Sequence, residues 1–375
     1  MNGREEFTVF TRGRAMSRDG DSTYASTMQK VLKYLRQSAV YLKYECSTPR
    51  DTGSGHAGDP ILLDTGLLSL NAGDDIIMHY ANKQLSRLFD LEHVRRIPVH
   101  GGRVEVGSDV QDRLKILCGT NALNTHMNRH HSIALPGRVD YYRNSVLLLA
   151  VGLANAAEGT GFNAPTRRIL RNLLTGDHIH SVRDGHTEKA LKDIGITNVL
   201  NTSCVTMWDL TEQFCASIPG KKHTDVLTSI TDYNFDPTMD GYMLRNLQKH
   251  YRTVYLWVQG TQDEDRLRLL PEIEGIELIH GGLPGLREFV ATHKDIDYFG
   301  TRLHCGIYCL NHRIRSRIVS IDNRAADIAK DTGLPIAMRA DLKDSMDDFI
   351  EQETTFNIRI PDQAIHDWKM QFAAE

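Results

Sequence analysis

The reading turns on Asp297-Tyr298-Phe299-Gly300-Thr301-Arg302-Leu303-His304-Cys305-Gly306-Ile307-Tyr308-Cys309-Leu310. An aromatic and glycine bend delivers Arg302 and His304 together, and an apolar, helix-compatible run follows at once. A turn after a strand, with the free N–H groups of a helix N-terminus behind it, is how α/β proteins hold anions. Arginine offers a planar fork for a carboxylate or phosphate, and a histidine two residues on can move a proton near neutral pH. Anion binding coupled to acid/base chemistry is one expectation. The other is structural, with Arg302 in an ion pair and His304 a satisfied core histidine.

The flanking sequence alternates strand and helix. Ahead of the stretch, residues 225–230, 254–258 and 276–279 read as strands, with helices over 239–250, 263–270 and 285–290. Beyond it, 317–322 is a strand and 324–331 a helix. An earlier series has strands at 60–66, 114–121, 145–153, 179–187 and 198–204, and helices at 76–88, 165–174 and 188–194. Residues 145–153 are apolar on both faces, as a central parallel strand should be. Such alternation argues parallel α/β sheets. Pro219-Gly220-Lys221-Lys222 is a plausible crossing between two units. In the first series Arg183 stands, like Arg302, where a strand gives way to a turn and helix. An ion pair with Asp184 is the alternative role for it. The turn Asn71-Ala72-Gly73-Asp74-Asp75 could cradle a phosphate, although Asp74 could equally be a helix N-cap.

At 375 residues the chain exceeds the usual size of a single core, so two domains are expected. It is 41% hydrophobic and 25% charged, with a formal net charge of −4, which speaks against nucleic acid as a partner. The longest apolar run, 146–154, falls far short of the ~20 residues that cross a bilayer. Charged residues through the N-terminus leave no signal-peptide core, so a cytoplasmic protein is expected. The six cysteines are scattered, as in a reducing compartment, and Cys305 and Cys309 share one helix face as packing residues. His126, His130 and His131 have helical spacing but no acidic or cysteine companion, so no metal site is expected. Residues 27–44 form a basic amphipathic helix, with Met28, Val31, Leu32, Leu35 and Leu42 among Lys30, Lys33, Arg36 and Lys43. Such a helix can lie at the inner face of a membrane as a peripheral contact. The break at Gln37 and Ser38 favours packing on its own protein instead.

Two successive Rossmann-like halves describe a GT-B-like architecture, with parallel-sheet domains facing a central cleft that takes the ligand between strand carboxyl ends. The expected organisation is an extension at 1–54, domains at 55–214 and 215–341, and a helical tail at 342–375. Within that frame, Ser181-Val182-Arg183-Asp184 with its following helix, and then Asp297 through Arg302-Leu303-His304 with Asp322 beyond, resembles the polysaccharide pyruvyl transferase family. The Asn71-Ala72-Gly73-Asp74 turn is similar to that family's opening loop. The resemblance spans roughly residues 58–338.

This resemblance implies transfer of the pyruvyl group of phosphoenolpyruvate to sugar hydroxyls of a cell-surface glycan or its lipid-linked precursor, as a ketal. It implies no metal or organic cofactor. Carried across, Arg183 and Arg302 hold the carboxylate and phosphate, the Leu303 backbone stands beside them, and His304 is the acid/base. Asn71, Gly73 and Asp74 follow as loop residues of the site. Two departures bear on the acceptor: Gly119-Thr120-Asn121 replaces a glycine-rich tripeptide, and Asp322-Asn323-Arg324 replaces a lysine-containing pattern. The alternatives are a GT-B nucleotide-sugar glycosyltransferase or epimerase, and a non-catalytic glycan-assembly protein. The absence of a ribose-binding glutamate motif speaks against the former, and the joint presence of Arg183, Arg302 and His304 against the latter.

Overall fold

The structure, a computed structural model, describes residues 19–48, 56, 58–101, 104–154 and 161–373, with side chains from Met28 onward. After helix α1 (Asp19–Cys46), a first parallel sheet runs in the order β2-β1-β3-β5. Its strands are β1 (Ile61–Asp64), β2 (Arg96–Pro98), β3 (Lys115–Cys118) and β5 (Val146–Leu149). Short β4 (Leu123–Asn124) and β6 (Leu153–Ala154) pair beyond the carboxyl ends of β3 and β5. The parallel pair β7 (His180–Val182) and β8 (Val199–Asn201) extends the sheet through a bridge from Val151 to Val182. Helices α2 (Ala72–Leu85), α3 (Ala164–Leu173) and α4 (Gly185–Lys192) connect these strands, and short α5 (Glu212–Cys215) leads out of them.

The second sheet is six-stranded and parallel, in the order β11-β10-β9-β12-β13-β14. It comprises β9 (Asp225–Thr228), β10 (Thr253–Trp257), β11 (Glu277–Ile279), β12 (Ile296–Gly300), β13 (Arg315–Ser320) and β14 (Ile336–Met338). Counted from β9 this is the Rossmann order 3-2-1-4-5-6, which reverses direction between β9 and β12. In such sheets ligands gather outside the carboxyl ends of the strands flanking the reversal. Its helices are α6 (Pro237–His250), α7 (Asp263–Leu267), α8 (Gly282–Thr292), α9 (Leu303–Asn311) and α10 (Asn323–Thr332).

Both sheets bury both faces by the two-residue alternation of strands. In the first sheet Ile61, Leu63, Leu117 and Leu148 enter one core, while Leu62, Ile116, Leu147 and Leu149 enter the other. In the second, Leu227, Tyr298 and Ile318 oppose Val226, Phe299 and Val319. Helix α9 is buried from Leu303 to Leu310, apolar on nearly every side as a helix between layers must be. It lies so close to the sheet that a Cβ on Gly306 would come 2.5 Å from Ile318.

The halves share a core at α2, where Ala72, Ile76 and Tyr80 pack with Leu283, Leu286, Leu303 and Tyr308 of α8 and α9. The last segment divides between them. Leu342, Met346 and Ile350 of α11 (Leu342–Glu351) pack on the second sheet. Ile365 and Trp368 of α12 (Asp362–Met370) return to the first, beside Trp208 and Leu149. Strands β2 and β14 were not anticipated. Each is a three-residue, partly buried edge strand with a proline in or next to it, Pro98 and Pro335, which argues against a strand.

Candidate active site

The bend after β12 is locked to the end of β9. Thr301 N–H donates to Ser229 O at 2.9 Å, the Thr231 and Thr301 hydroxyls meet at 2.9 Å, and Tyr298 OH donates to Arg302 O at 2.8 Å. Arg302 therefore projects from the reversal point of the sheet. Its Nε donates to Ile230 O at 2.8 Å, and its Nη2 contacts both Asp232, at 2.9 Å, and Asp263. Asp263 in turn accepts from Gln259 and Gly260 N–H at 2.9 and 2.8 Å. The ion-pair alternative for Arg302 is thus realised, with Nη1 outside these contacts.

Arg302 is also the N-cap of α9, and it supplies no side-chain acceptor to that helix. The neighbouring α2, α4 and α10 are each capped, by Asn71, Asp184 and Asp322. The first N–H groups of α9, from Leu303 onward, lack intrahelical acceptors by geometry and carry the positive end of the helix dipole.

His304 follows on the first turn. It is buried, with Nε2 at 3.8 Å from Cys204 Sγ. Burial and the charge of Arg183 push its pKa down to about 3, so the imidazole is neutral at physiological pH. This corrects the expectation of a group that titrates near neutrality: desolvation and a nearby guanidinium both disfavour the cation. Burial raises the Cys204 thiol as well, so the two meet as neutral groups and not as a thiolate–imidazolium nucleophile.

Arg183, at the end of β7, is almost fully buried. Its Nη2 donates to Asn121 Oδ1, and its Nε lies 3.4 Å from Asp184. The Asp184 ion pair is therefore present, while Asp184 also caps α4 through Thr187 N–H at 2.7 Å. The tripeptide that departs from the family pattern has a local function here, since Asn121 aims Arg183.

A third guanidinium, Arg324, was not singled out from the sequence as a site residue. It pairs bidentately with Asp322, Nε donating to Oδ1 at 3.1 Å and Nη2 to Oδ2 at 2.6 Å, and lies 5.0 Å from the Tyr233 ring. Arg302 lies 5.8 Å from the same ring. Burial first, and then the charge of Arg183, push Arg324 down to about 10, with Asp74 opposing. A signal was present: Arg183, Arg302 and Arg324 each lie within four residues after the end of a parallel strand. Tyr233, an exposed aromatic in a loop, offered none.

The opening loop is placed differently from expectation. The N-cap of α2 is Asn71, whose Oδ1 accepts from Gly73 N–H at 3.0 Å, and not Asp74. Gln259 Nε2 donates to the same Asn71 oxygen at 2.6 Å, and Ala72 N–H donates to Gln259 O at 3.1 Å. A Cβ on Gly73 would lie 2.8 Å from Gln259 Nε2. Asn71 and Gly73 thus dock one half on the other. Asp74, in the first turn of α2, stands near Arg324 alone of the three arginines: it accepts from Ser69 Oγ at 2.6 Å and lies 3.6 Å from His100 Nε2. Burial raises its pKa, and the charges of His100 and Arg324 oppose the rise.

Arg183 beside His304 and Arg324, Arg302 and Arg324 at Tyr233, and the uncapped start of α9 are the donor types that a small, multiply charged anion calls for. Among curated proteins none matches this chain. Among solved structures, the wall teichoic acid polymerase TagF is 11% identical, with 95% of this chain and 98% of that chain covered and a TM-score of 0.37, too slight a likeness to argue from. The family model for polysaccharide pyruvyl transferase matches residues 71–323, about two thirds of the sequence. The chain belongs to the polysaccharide pyruvyl transferase family.

Proposed function

We propose that this protein transfers the pyruvyl group of phosphoenolpyruvate to hydroxyls of a saccharide acceptor, a cell-surface polysaccharide or its lipid-linked precursor, in the cytoplasm. The observation that carries the reading is that Arg183 stands close enough to His304 and Arg324 to depress both, while Arg324 shares the Tyr233 ring with Arg302, the residue that opens α9. Phosphoenolpyruvate has a carboxylate and a phosphate a few ångströms apart, which matches several positive groups in one site better than a monoanion would. In this reading the two sheets belong to two Rossmann-like domains, 55–214 and 215–341, and the donor lies in a GT-B cleft between them.

The chemistry suits these groups. An acceptor oxygen adds to the enol C2 of the donor, a proton goes to the C3 methylene, and the C2–O bond to phosphate breaks as a second hydroxyl closes the ketal. Two hydroxyl protons are released: one balances the proton taken up at C3, and the other leaves with phosphate. The guanidinium groups and the α9 N–H groups stabilise the departing phosphate. Neutral His304 accepts a hydroxyl proton. The bound donor's negative charge offsets Arg183 and supports the imidazolium that forms, so the same side chain serves as acid in turn. No metal or organic cofactor enters these steps.

The test is a thermal-shift titration, since a ligand that binds the native state raises apparent stability. Phosphoenolpyruvate should raise the melting temperature and nucleoside diphosphates should not. A shift with a nucleoside diphosphate and none with phosphoenolpyruvate would replace this reading by a nucleotide-sugar enzyme.

A further inference from the structure

Helix α1 has two apolar faces. One is built into the protein: Tyr41 OH donates to Ile133 O at 2.8 Å, Asn172 Nδ2 donates to Tyr44 O at 2.8 Å, and Leu135 N–H donates to Gln37 Oε1 at 3.4 Å. At 100° per residue, Met28, Val31, Leu32, Leu35 and Leu42 form a second stripe on the opposite side. These five side chains are 46% to 57% exposed. The expectation that the helix packs on its own protein therefore holds for the Gln37–Tyr41–Tyr44 face and fails for the aliphatic one.

From Met28 to Tyr44 the helix carries Lys30, Lys33, Arg36 and Lys43 and no carboxylate. Among the described residues, none of these four has an acidic partner; Lys43 donates to Gly137 O at 3.2 Å. Behind the helix lies a groove of about 430 Å³, lined by Lys30, Lys33, His100, Arg129 and His131 among others and by no acidic side chain.

We propose that α1 docks the protein on an anionic lipid bilayer, with the aliphatic stripe at the headgroup–acyl boundary and Arg36 and Lys43, which lie along one edge of that stripe, on lipid phosphates. An amphipathic helix with basic residues beside an aliphatic face binds in this way. A second copy fits less well, because a two-fold pairing of this face would bring together the Arg36 and Lys43 of both copies, with no carboxylate on the helix from Met28 to Tyr44 to offset them. The docking does not depend on the proposed activity.

Cosedimentation of the full chain with vesicles tests this. Vesicles with about 30% phosphatidylserine should bind at least about tenfold more strongly than pure phosphatidylcholine vesicles, and about 0.5 M salt should remove most of the difference. The double variant Val31→Glu/Leu35→Glu should lower binding about tenfold or more, and Arg36→Glu about fivefold or more, with melting temperature unchanged. No binding to anionic vesicles at low salt overturns the proposal. So does equal binding by the double variant, or a wild-type dimer in sedimentation that the variant dissolves.

Discussion

The guanidinium of Arg183 lies against the backbone of Gly152, closer than any Cβ at that position would allow. Glycine 152 is thus what lets a fully buried arginine lie flat between β5 and the Asn121 amide. Replacing Gly152 by alanine should push Arg183 out of line without altering any group that touches the donor. The expected result is a phosphoenolpyruvate affinity at least about tenfold weaker, ~1.4 kcal/mol, with near-native circular dichroism. Isothermal titration of the two proteins checks this. Unchanged affinity would remove Arg183 from the donor site.

Arg302 is shared unequally between Asp263, which is almost wholly buried, and Asp232, whose side chain is 18% exposed. Removing Asp263 leaves a buried guanidinium short of charge and strands the N–H groups of Gln259 and Gly260. Asp263→Ala should therefore cost ~3–5 kcal/mol of stability, whereas Asp232→Ala should cost about 1 kcal/mol. Urea unfolding of both variants measures the contrast. Equal losses would mean that Asp263 is not the residue that positions Arg302.

Acid should destabilise the ligand-free protein through two buried histidines. Burial pushes His180 down to about 4, and its ring bridges Leu148 N–H at 3.2 Å and Thr175 O at 2.9 Å, so a proton on Nδ1 breaks the former bond. His304 lies at about 3. Both folded values are below the ordinary 6.5, so between that pH and the folded values the unfolded chain binds protons that the native chain refuses. Stability is full above about 6.5 and falls as pH drops, by ~1.4 kcal/mol per unit for each histidine. Asp240, raised by burial to about 6, opposes the trend, so the comparison with His304→Asn isolates one histidine. Urea midpoints between pH 7.5 and 5 should fall less steeply for that variant. Identical slopes would mean that His304 is protonated in the native state.

Much of the architecture was legible because it rests on local periodicity. The continuous apolar runs of Ile61–Leu63 and Val146–Leu149, the proline start of α3 and the apolar run of α9 are properties of adjacent residues. Arg183 and Arg302 follow from the same source, since each comes directly after a parallel strand, whereas Arg324, in the first turn of α10, was not singled out. Edge strands β2 and β14 escaped because Pro98 and Pro335, in or next to them, weaken the strand signal.

The chain alone thus determined the alternating α/β plan, the family and the position of Arg183, Arg302 and His304 at strand ends. Tertiary structure alone decided how those side chains are held and charged. Asp263 and Asn121, 39 and 62 positions away from the arginines they bind, were brought to them by folding. The pKa of His304 depends on the depth of its burial and its distance from Arg183, neither of which is written in neighbouring residues. The same holds for α1: its amphipathic pattern was plain, but which face would find a partner depended on what the rest of the chain placed against it.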